Sequence, residues 1–167
     1  MYSALAPLLG LTLWDAGRAA DLEWFAFGPR RIVHDSRGEP KEVGEYALHV
    51  QCAWRITQGG KVLVASRDLY YPAGSRDCYV PPGFNWDVQG ANRRDELTHA
   101  LFQDGKHEFN VQEIAVYNAG AFRLDLSSEL ALQVFPDDSS LEEHWRVFRP
   151  YRDDEHWVFR GEGFGSL

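Results

Sequence analysis

The chain has 167 residues, of which 44% are hydrophobic and 14% aromatic, and its formal net charge is −8. A chain of this length forms one domain and buries roughly 70% of the surface it would expose when unfolded. The composition is that of a packed globular protein and excludes intrinsic disorder. The negative charge disfavours nucleic acids and anionic membranes as partners and favours basic ones.

Cysteine usage and the N-terminus both predict a cytoplasmic protein. The two cysteines, Cys52 and Cys78, are too few for a disulfide framework and suit a reducing compartment. Met1–Leu13 is apolar but lacks a basic region and a small-residue cleavage site, so we expect neither a signal peptide nor a membrane anchor. The chain shows no internal repeat, which predicts a single domain over residues 1–167.

The first forty residues predict a short helix, a strand and a loop. Ser3–Leu9 suits a short N-terminal helix. Asp21–Phe27 alternates loosely and stops at Gly28-Pro29, which predicts a strand. A polar loop is expected from Arg30 to Val43.

A β-hairpin over residues 45–71 is the strongest structural prediction. Apolar and polar residues alternate from Glu45 to Thr57, Gly59-Gly60 provides a two-residue turn, and Lys61–Tyr71 returns antiparallel. Pairing Gln58 with Lys61 places one set of residues together on the polar face: His49, Gln51, Arg55, Asp68 and Tyr70. The same register puts Arg67 on the apolar face, where it needs a carboxylate such as Asp21 or Asp68 unless a bulge turns it outward.

The second half predicts one main helix followed by an antiparallel meander. Asn92 can cap a helix over about 93–103, and Asp95 suits its first turn. Five strands should follow: Val111–Tyr117, Ala121–Leu126, Glu129–Phe135, His144–Phe148 and His156–Phe159. The expected fold class is therefore α+β, mainly antiparallel hairpins with one main helix and a short N-terminal helix.

The polar face of the predicted hairpin is a candidate small-molecule or hydrolytic site. A carboxylate from Asp68 beside His49 could orient the imidazole for acid/base work, while Arg55 or Arg67 holds an anion and Tyr70 lines the same face. The alternative is a solvated face, because antiparallel sheets commonly leave one face wet.

Other catalytic and metal motifs give weaker signals. Cys78 lies near Arg76, which could lower the pKa of the thiol, but no histidine is adjacent. No Gly-x-Ser-x-Gly elbow, phosphate loop or dinucleotide fingerprint occurs. Two groups of polar residues lack zinc or calcium spacing, which predicts neither a metal nor a cofactor: His99, His107 and Glu108, and Asp87, Asn92 and Asp95.

An acidic C-terminal third is a candidate protein-binding surface. From residue 129 onward there are nine carboxylates against four arginines. Acidic and aromatic residues on these loops resemble a binding rim with its anchors: Asp153, Asp154 and Glu155, with Trp145, Tyr151 and Trp157. The alternative is a solvated acidic face over core tryptophans. Pairing of an uncovered edge strand in a homo-oligomer is a third possibility.

Several segments together resemble a family of uncharacterised bacterial proteins: Leu9–Trp14 with Arg18, Glu45–Ile56, Ser66–Tyr70, Phe84–Asp87 to Gly90 with Asn92, and Leu132–Pro136 through Glu143–Phe148. The closing pattern, a strand, an acidic loop and Glu-x-Trp-Arg, is similar to small immunity proteins that neutralise bacterial toxins. The resemblance implies a non-enzymatic protein-binding role of the immunity type, and it identifies no site. The acidic C-terminal surface makes a basic protein the expected partner.

Overall fold

The computed structural model describes residues 1–103, 105–153 and 156–166. Its helices are α1 (Tyr2–Leu5), α2 (Arg93–Phe102) and the 3₁₀ helices Ala6–Leu8, Ser66–Tyr70 and Asn118–Gly120. Its strands are β1 (Thr12–Ala19), β2 (Leu22–Phe27), β3 (Arg31–His34), β4 (Pro40–Val43), β5 (Tyr46–Val50), β6 (Ala53–Gln58), β7 (Lys61–Ala65), β8 (Phe109–Val116), β9 (Phe122–Leu126), β10 (Leu130–Phe135), β11 (Glu143–Phe148), β12 (Trp157–Arg160) and β13 (Gly163–Ser166). Within these residues no helix has the length and apolar character that crossing a membrane requires.

Eleven of the described strands form one sheet in the order β13-β12-β11-β5-β2-β1-β8-β9-β10-β6-β7, and β3 and β4 pair separately. All pairings are antiparallel. The fold is therefore mostly antiparallel sheet with few helices, and α2 is the main helix as predicted.

The sheet curls over on itself and encloses the core. Strands β5 and β6 are joined by two residues but stand six places apart in the sheet, so the sheet must bend back to bring them together. Aromatic rings meet across the enclosed space, Phe25 of β2 against Trp54 of β6 and Phe122 of β9 against Trp145 of β11, at centroid distances of 5.3 and 5.1 Å. These edge-to-face pairs join the two halves into one core.

Helix α2 begins at the cap that the sequence predicts. The Asn92 side chain accepts a hydrogen bond from the Asp95 amide at 2.9 Å, and Gln103 ends the helix in a left-handed conformation. The buried residues of α2 are Arg94, Thr98 and Phe102, which are spaced by four and lie on one face. Two of these three buried residues are polar.

The predicted 45–71 hairpin is only partly correct. Strands β6 and β7 form a hairpin at Gly59-Gly60 with Gln58 opposite Lys61, as expected. A bulge then shifts the register, and the chain bends at Gln51-Cys52, so that β5 pairs with β2 and β11 instead. Alternation in the sequence predicts which face a residue occupies, but it carries no information on which strand lies alongside.

The predicted meander is also corrected. Strands β8, β9 and β10 are consecutive neighbours, but β11 leaves the series and pairs with β5 and β12. The sequence reading missed β1, where a bulge between Leu13 and Asp15 breaks the alternation. It also missed β3 and β4, a mostly exposed hairpin within the predicted 30–43 loop, and the terminal strand β13.

Candidate functional site

A cleft of about 590 Å³ lies on the outer face of the sheet, and His49 is one of the residues that line it. The strand register builds its floor: His49 on β5 stands between Trp24 on β2 and Arg146 on β11. In the adjacent row, Ala47 stands between Ala26 and Phe148. We call this surface the His49 cleft.

Two segments form the walls of the His49 cleft. The β3–β4 hairpin contributes Lys41, Glu42 and Val43, and the segment after β11 contributes Pro150 and Tyr151. Arg31 on β3 ties the two walls together, because its Nη2 donates a hydrogen bond to the Pro150 carbonyl at 2.9 Å. The cleft is therefore a bounded site rather than an open sheet face.

Small residues make room for the cleft and place its largest ring. A Cβ atom at Gly17 on β1 would lie 2.6 Å from Cζ2 of Trp24, so the indole can lie over this backbone only because residue 17 is glycine. Ala26 and Ala47 lie opposite each other on β2 and β5, and their short side chains leave space above the floor of the cleft. Large aromatic rings flanking short side chains are typical of a pocket for a flat apolar body.

The imidazole of His49 is neutral at physiological pH. Burial, and then the positive charges of Arg146, Lys41 and His156, lower the pKa of His49 to about 4. Its Nδ1 lies 3.4 Å from Nη2 of Arg146. A guanidinium can only donate, so Nδ1 is the acceptor and Nε2 carries the hydrogen. His49 is thus a hydrogen-bond donor through Nε2 and a weak base.

The electrostatic potential at the His49 imidazole is positive, although the protein as a whole is negative. Three cations, Arg18, Lys41 and Arg146, and one carboxylate, Glu42, line the cleft. Arg18 is paired with Asp95, and Arg146 lies 3.3 Å from Glu143. Lys41 is the exposed cation of the three, whereas Arg18 is buried and Arg146 half-buried. The lowered pKa of His49 reflects positive potential at the floor as well as burial. An anionic ligand gains from the same potential.

We expect His49 to make the protein less stable in acid. Its folded-state pKa of about 4 lies below the ordinary 6.5, so as pH falls from about 6.5 the unfolded chain takes up a proton that the native state refuses. At a pH near 4.5 the loss is about 2 kcal/mol after allowance for partial exposure. Between neutral pH and pH 4.5, the free energy of unfolding measured in urea should fall by about 2 kcal/mol less in His49→Gln than in wild type. The exposed His34, changed to Gln, is the control; equal acid slopes for all three proteins would contradict the assignment.

The predicted His49 and Asp68 pair does not form. Asp68 lies in the 3₁₀ helix Ser66–Tyr70, where its carboxylate accepts from Arg93 Nε at 2.8 Å and from the Ala65 amide at 2.9 Å. The bend after β5 separates these residues, since β5 and β7 are not neighbours. Among the described contacts of His49 the ring partners are Arg146 and Phe148, the latter edge-to-face at 4.7 Å.

The other residues predicted for that face meet elsewhere. Arg55, Arg67 and Tyr70 line a separate depression of about 470 Å³. Arg55 donates to Gln133 at 2.6 Å. Arg67 is exposed in the 3₁₀ helix, which corrects its predicted position on an apolar face. The helix replaces the strand there because Asp68 caps the amide of Ala65.

The acidic surface predicted near the C-terminus loses one of its anchors. Trp145 is fully buried, donates through Nε1 to the Gly120 carbonyl at 2.8 Å and stacks on Phe159, so it belongs to the core. Asp153 is exposed and Trp157 is half-buried on β12. Asp154 and Glu155 lie outside the described residues.

The sequence analysis missed most residues of the cleft, among them Arg146, Trp24, Lys41 and Phe148. In β11, Arg146 falls between buried Trp145 and Val147, a signal that it faces outward. Nothing local indicates that it meets His49, which is 97 positions away.

Comparison with known proteins gives no relative: no family model, no curated protein and no solved structure matches this chain.

Proposed function

We propose that the protein binds a small organic anion with a flat apolar body in the His49 cleft. The observation that carries this proposal is the placement of Arg146 and the His49 imidazole, in contact with each other, beside Trp24 and Phe148 in one cleft. A carboxylate of the ligand would accept from His49 and pair with Arg146 and Lys41, while its apolar body covers the aromatic floor.

The chemistry of the cleft supports binding rather than hydrolysis. An imidazole whose pKa is lowered to about 4 is a weak general base at neutral pH, and its described neighbours supply no carboxylate partner. Cys52 is buried, and burial raises the pKa of its thiol to about 12, which removes it as a nucleophile. The proposed role is therefore that of a binding protein.

The protein-binding role that the sequence favours stays a prediction. Exposed Asp153 and half-buried Trp157 are its remaining described contact residues for a basic partner, because Trp145 is buried in the core. The His49 cleft is the better-defined site because its walls, floor and charges are all set by described contacts.

The anion proposal is tested with pairs of probes that share a ring and differ in charge. We expect indole-3-acetate and 2-naphthoate to bind more tightly than tryptamine and 2-naphthylmethylamine in calorimetric titrations, and to shift the NMR signals of the His49 ring. Arg146→Gln should weaken anion binding about tenfold, the effect of one charge-assisted hydrogen bond.

Arg123→Gln is the matched control for this experiment. Arg123 is also a strand arginine paired with a carboxylate, Asp125, but it lies on β9, away from the cleft. The control should bind the anions as wild type does. Equal affinity for the anions and the amines, or equal loss in both arginine variants, would refute the proposal.

A further inference from the structure

Four polar side chains on β5 and β11 form one connected series beside the His49 cleft. Gln51 donates through Nε2 to Oε1 of Glu143 at 3.2 Å, and the same oxygen lies 3.3 Å from Nε of Arg146. Arg146 in turn contacts His49, whose Nδ1 lies 3.4 Å from Nη2. Strand register sets this arrangement, because His49 stands directly opposite Arg146. The series therefore links a residue at the end of β5 to the imidazole through β11.

A bulge in β11 allows Glu143 to reach Arg146. Residues three apart in a regular strand point to opposite faces of the sheet. The register with β12 shifts between Glu143 and Trp145, and the two consecutive residues His144 and Trp145 are both buried. Glu143 and Arg146, on either side of this pair, are both half-buried. The bulge thus brings a carboxylate within reach of the arginine that lines the cleft.

Glu143 determines how the guanidinium of Arg146 is turned. Nε is close to Glu143 and Nη2 is close to Nδ1 of His49, so one edge of the planar group is used within the protein. Nη1 takes part in neither contact and can donate to a ligand in the cleft that Arg146 lines. Without a partner for Nε the long side chain would populate several rotamers and lose this orientation.

We propose that Glu143 is a positioning residue of the His49 cleft, which holds Arg146 against His49 and thereby keeps the guanidinium ready for an anionic ligand and the imidazole in its Nε2–H form. Glu143 is not among the described residues that line the cleft, so it acts through Arg146. The ligand-binding part of this role rests on the proposed anion site, whereas the orientation of the two side chains exists without ligand.

Two effects of opposite sign make the role of Glu143 testable. A carboxylate near an anion site repels the ligand, so loss of its charge alone should strengthen anion binding. Loss of the Arg146 orientation should weaken binding, because the guanidinium must then be ordered when the ligand arrives. We expect the second effect to dominate in Glu143→Ala. In calorimetric titrations 2-naphthoate should bind this variant about fivefold more weakly than wild type.

Glu143→Gln is the conservative variant that should restore binding. Its amide oxygen can still accept from Gln51 and Arg146, while the charge is gone. 2-Naphthoate should therefore bind Glu143→Gln at least as tightly as wild type. Glu42→Gln is the matched control, because Glu42 lines the cleft but pairs with Arg30, at 3.6 Å. It removes a carboxylate without releasing Arg146, and should not weaken binding.

The His49 ring reports the position of Arg146 without any ligand. Burial lowers the pKa of His49 most, and three of the charged groups around the ring lower it further. Those three groups, followed by the other two that line the cleft, are Arg146, Lys41, His156, Arg18 and Glu42. When Arg146 turns away in Glu143→Ala, the pKa of His49 should rise, and the Nδ1–H form should appear in nitrogen NMR spectra of the ring. Loss of the Glu143 charge without movement of Arg146 would lower that pKa instead.

The two measurements together decide the role of Glu143. Weaker 2-naphthoate binding in Glu143→Ala, restored binding in Glu143→Gln and a raised His49 pKa in Glu143→Ala are the expected results. Tighter binding in Glu143→Ala, equal weakening in both Glu143 variants, or a His49 ring that keeps its wild-type tautomer and pKa in Glu143→Ala would each overturn the proposal. If 2-naphthoate does not bind the wild-type protein, the anion proposal fails, and the ring signals of the ligand-free variants still show whether Glu143 positions Arg146.

Discussion

Replacing Arg18 with methionine is expected to lower the free energy of unfolding by about 3–5 kcal/mol, the range for breaking a buried ion pair from one side. The Arg18 side chain is 1% exposed. Its Nε and Nη2 donate to the two carboxylate oxygens of Asp95 at 2.7 and 3.0 Å. Methionine fills a similar volume but leaves the carboxylate without its cation.

Arg18 also holds the long loop that precedes α2. Its Nη2 lies 3.2 Å from the carbonyl oxygens of Trp86, Asp87 and Val88, and its Nη1 donates to Ala20. The loop has little regular structure, so one planar side chain supplies much of its order. Relative to wild type, Arg18→Met should therefore speed the hydrogen exchange of residues 85–91 more than that of strands β8–β10.

Two controls identify the cause of the Arg18 effect. Arg18→Lys keeps the charge but not the planar fork, and should recover little of the lost stability. Arg123→Met removes a partly exposed arginine whose carboxylate partner is Asp125, and should cost less than 1 kcal/mol. Urea unfolding of the three variants provides the measurement. Similar losses in Arg18→Met and Arg123→Met would contradict the role given to burial and loop contacts.

Sequence periodicity predicts which face of the sheet a residue occupies better than it predicts which strands lie side by side. Leu48, Val50, Cys52, Trp54 and Ile56 are all buried as their alternation indicates. The bend at residues 51 and 52 preserves that alternation while changing the pairing partners, and no local pattern distinguishes the two arrangements. Strand identity was therefore easier to predict than strand order.

The candidate sites depend on contacts between distant segments. His49 was predicted to face outward beside a carboxylate, and it does face outward, but beside a guanidinium contributed by β11. The buried charges Arg18, Glu23 and Arg94 were not predicted to be buried, because charged residues usually lie on the surface. Their burial is possible only where α2 brings partners to β1 and β2.

Replacing Gly120 with alanine is expected to cost about 3 kcal/mol, because two separate penalties add at this position. Gly120 has φ of +76°, which is unfavourable for any residue with a Cβ atom. A Cβ atom there would also overlap the ring of Phe159. Overpacking of a closed core typically costs 1–3 kcal/mol, and the left-handed backbone adds about 1 kcal/mol.

Gly74→Ala provides a matched control for the backbone penalty. Gly74 has φ of +74°, but a Cβ atom there meets nothing within 4 Å, so alanine should cost only about 1 kcal/mol. The difference between the two variants in urea unfolding then measures the steric part at Gly120. Equal losses would show that the Phe159 ring moves aside without cost.

A double variant tests the contact between residue 120 and the Phe159 ring. Phe159 stacks on Trp145 at a centroid distance of 5.7 Å, and the Trp145 indole donates to the Gly120 carbonyl, so the three residues form one packed unit. Phe159→Leu alone should destabilise by removing part of this stack. In the Gly120→Ala, Phe159→Leu protein the smaller side chain relieves the overlap, and the combined loss should be at least 1 kcal/mol less than the sum of the single losses. Strict additivity would mean that the penalty at Gly120 comes from its backbone conformation alone.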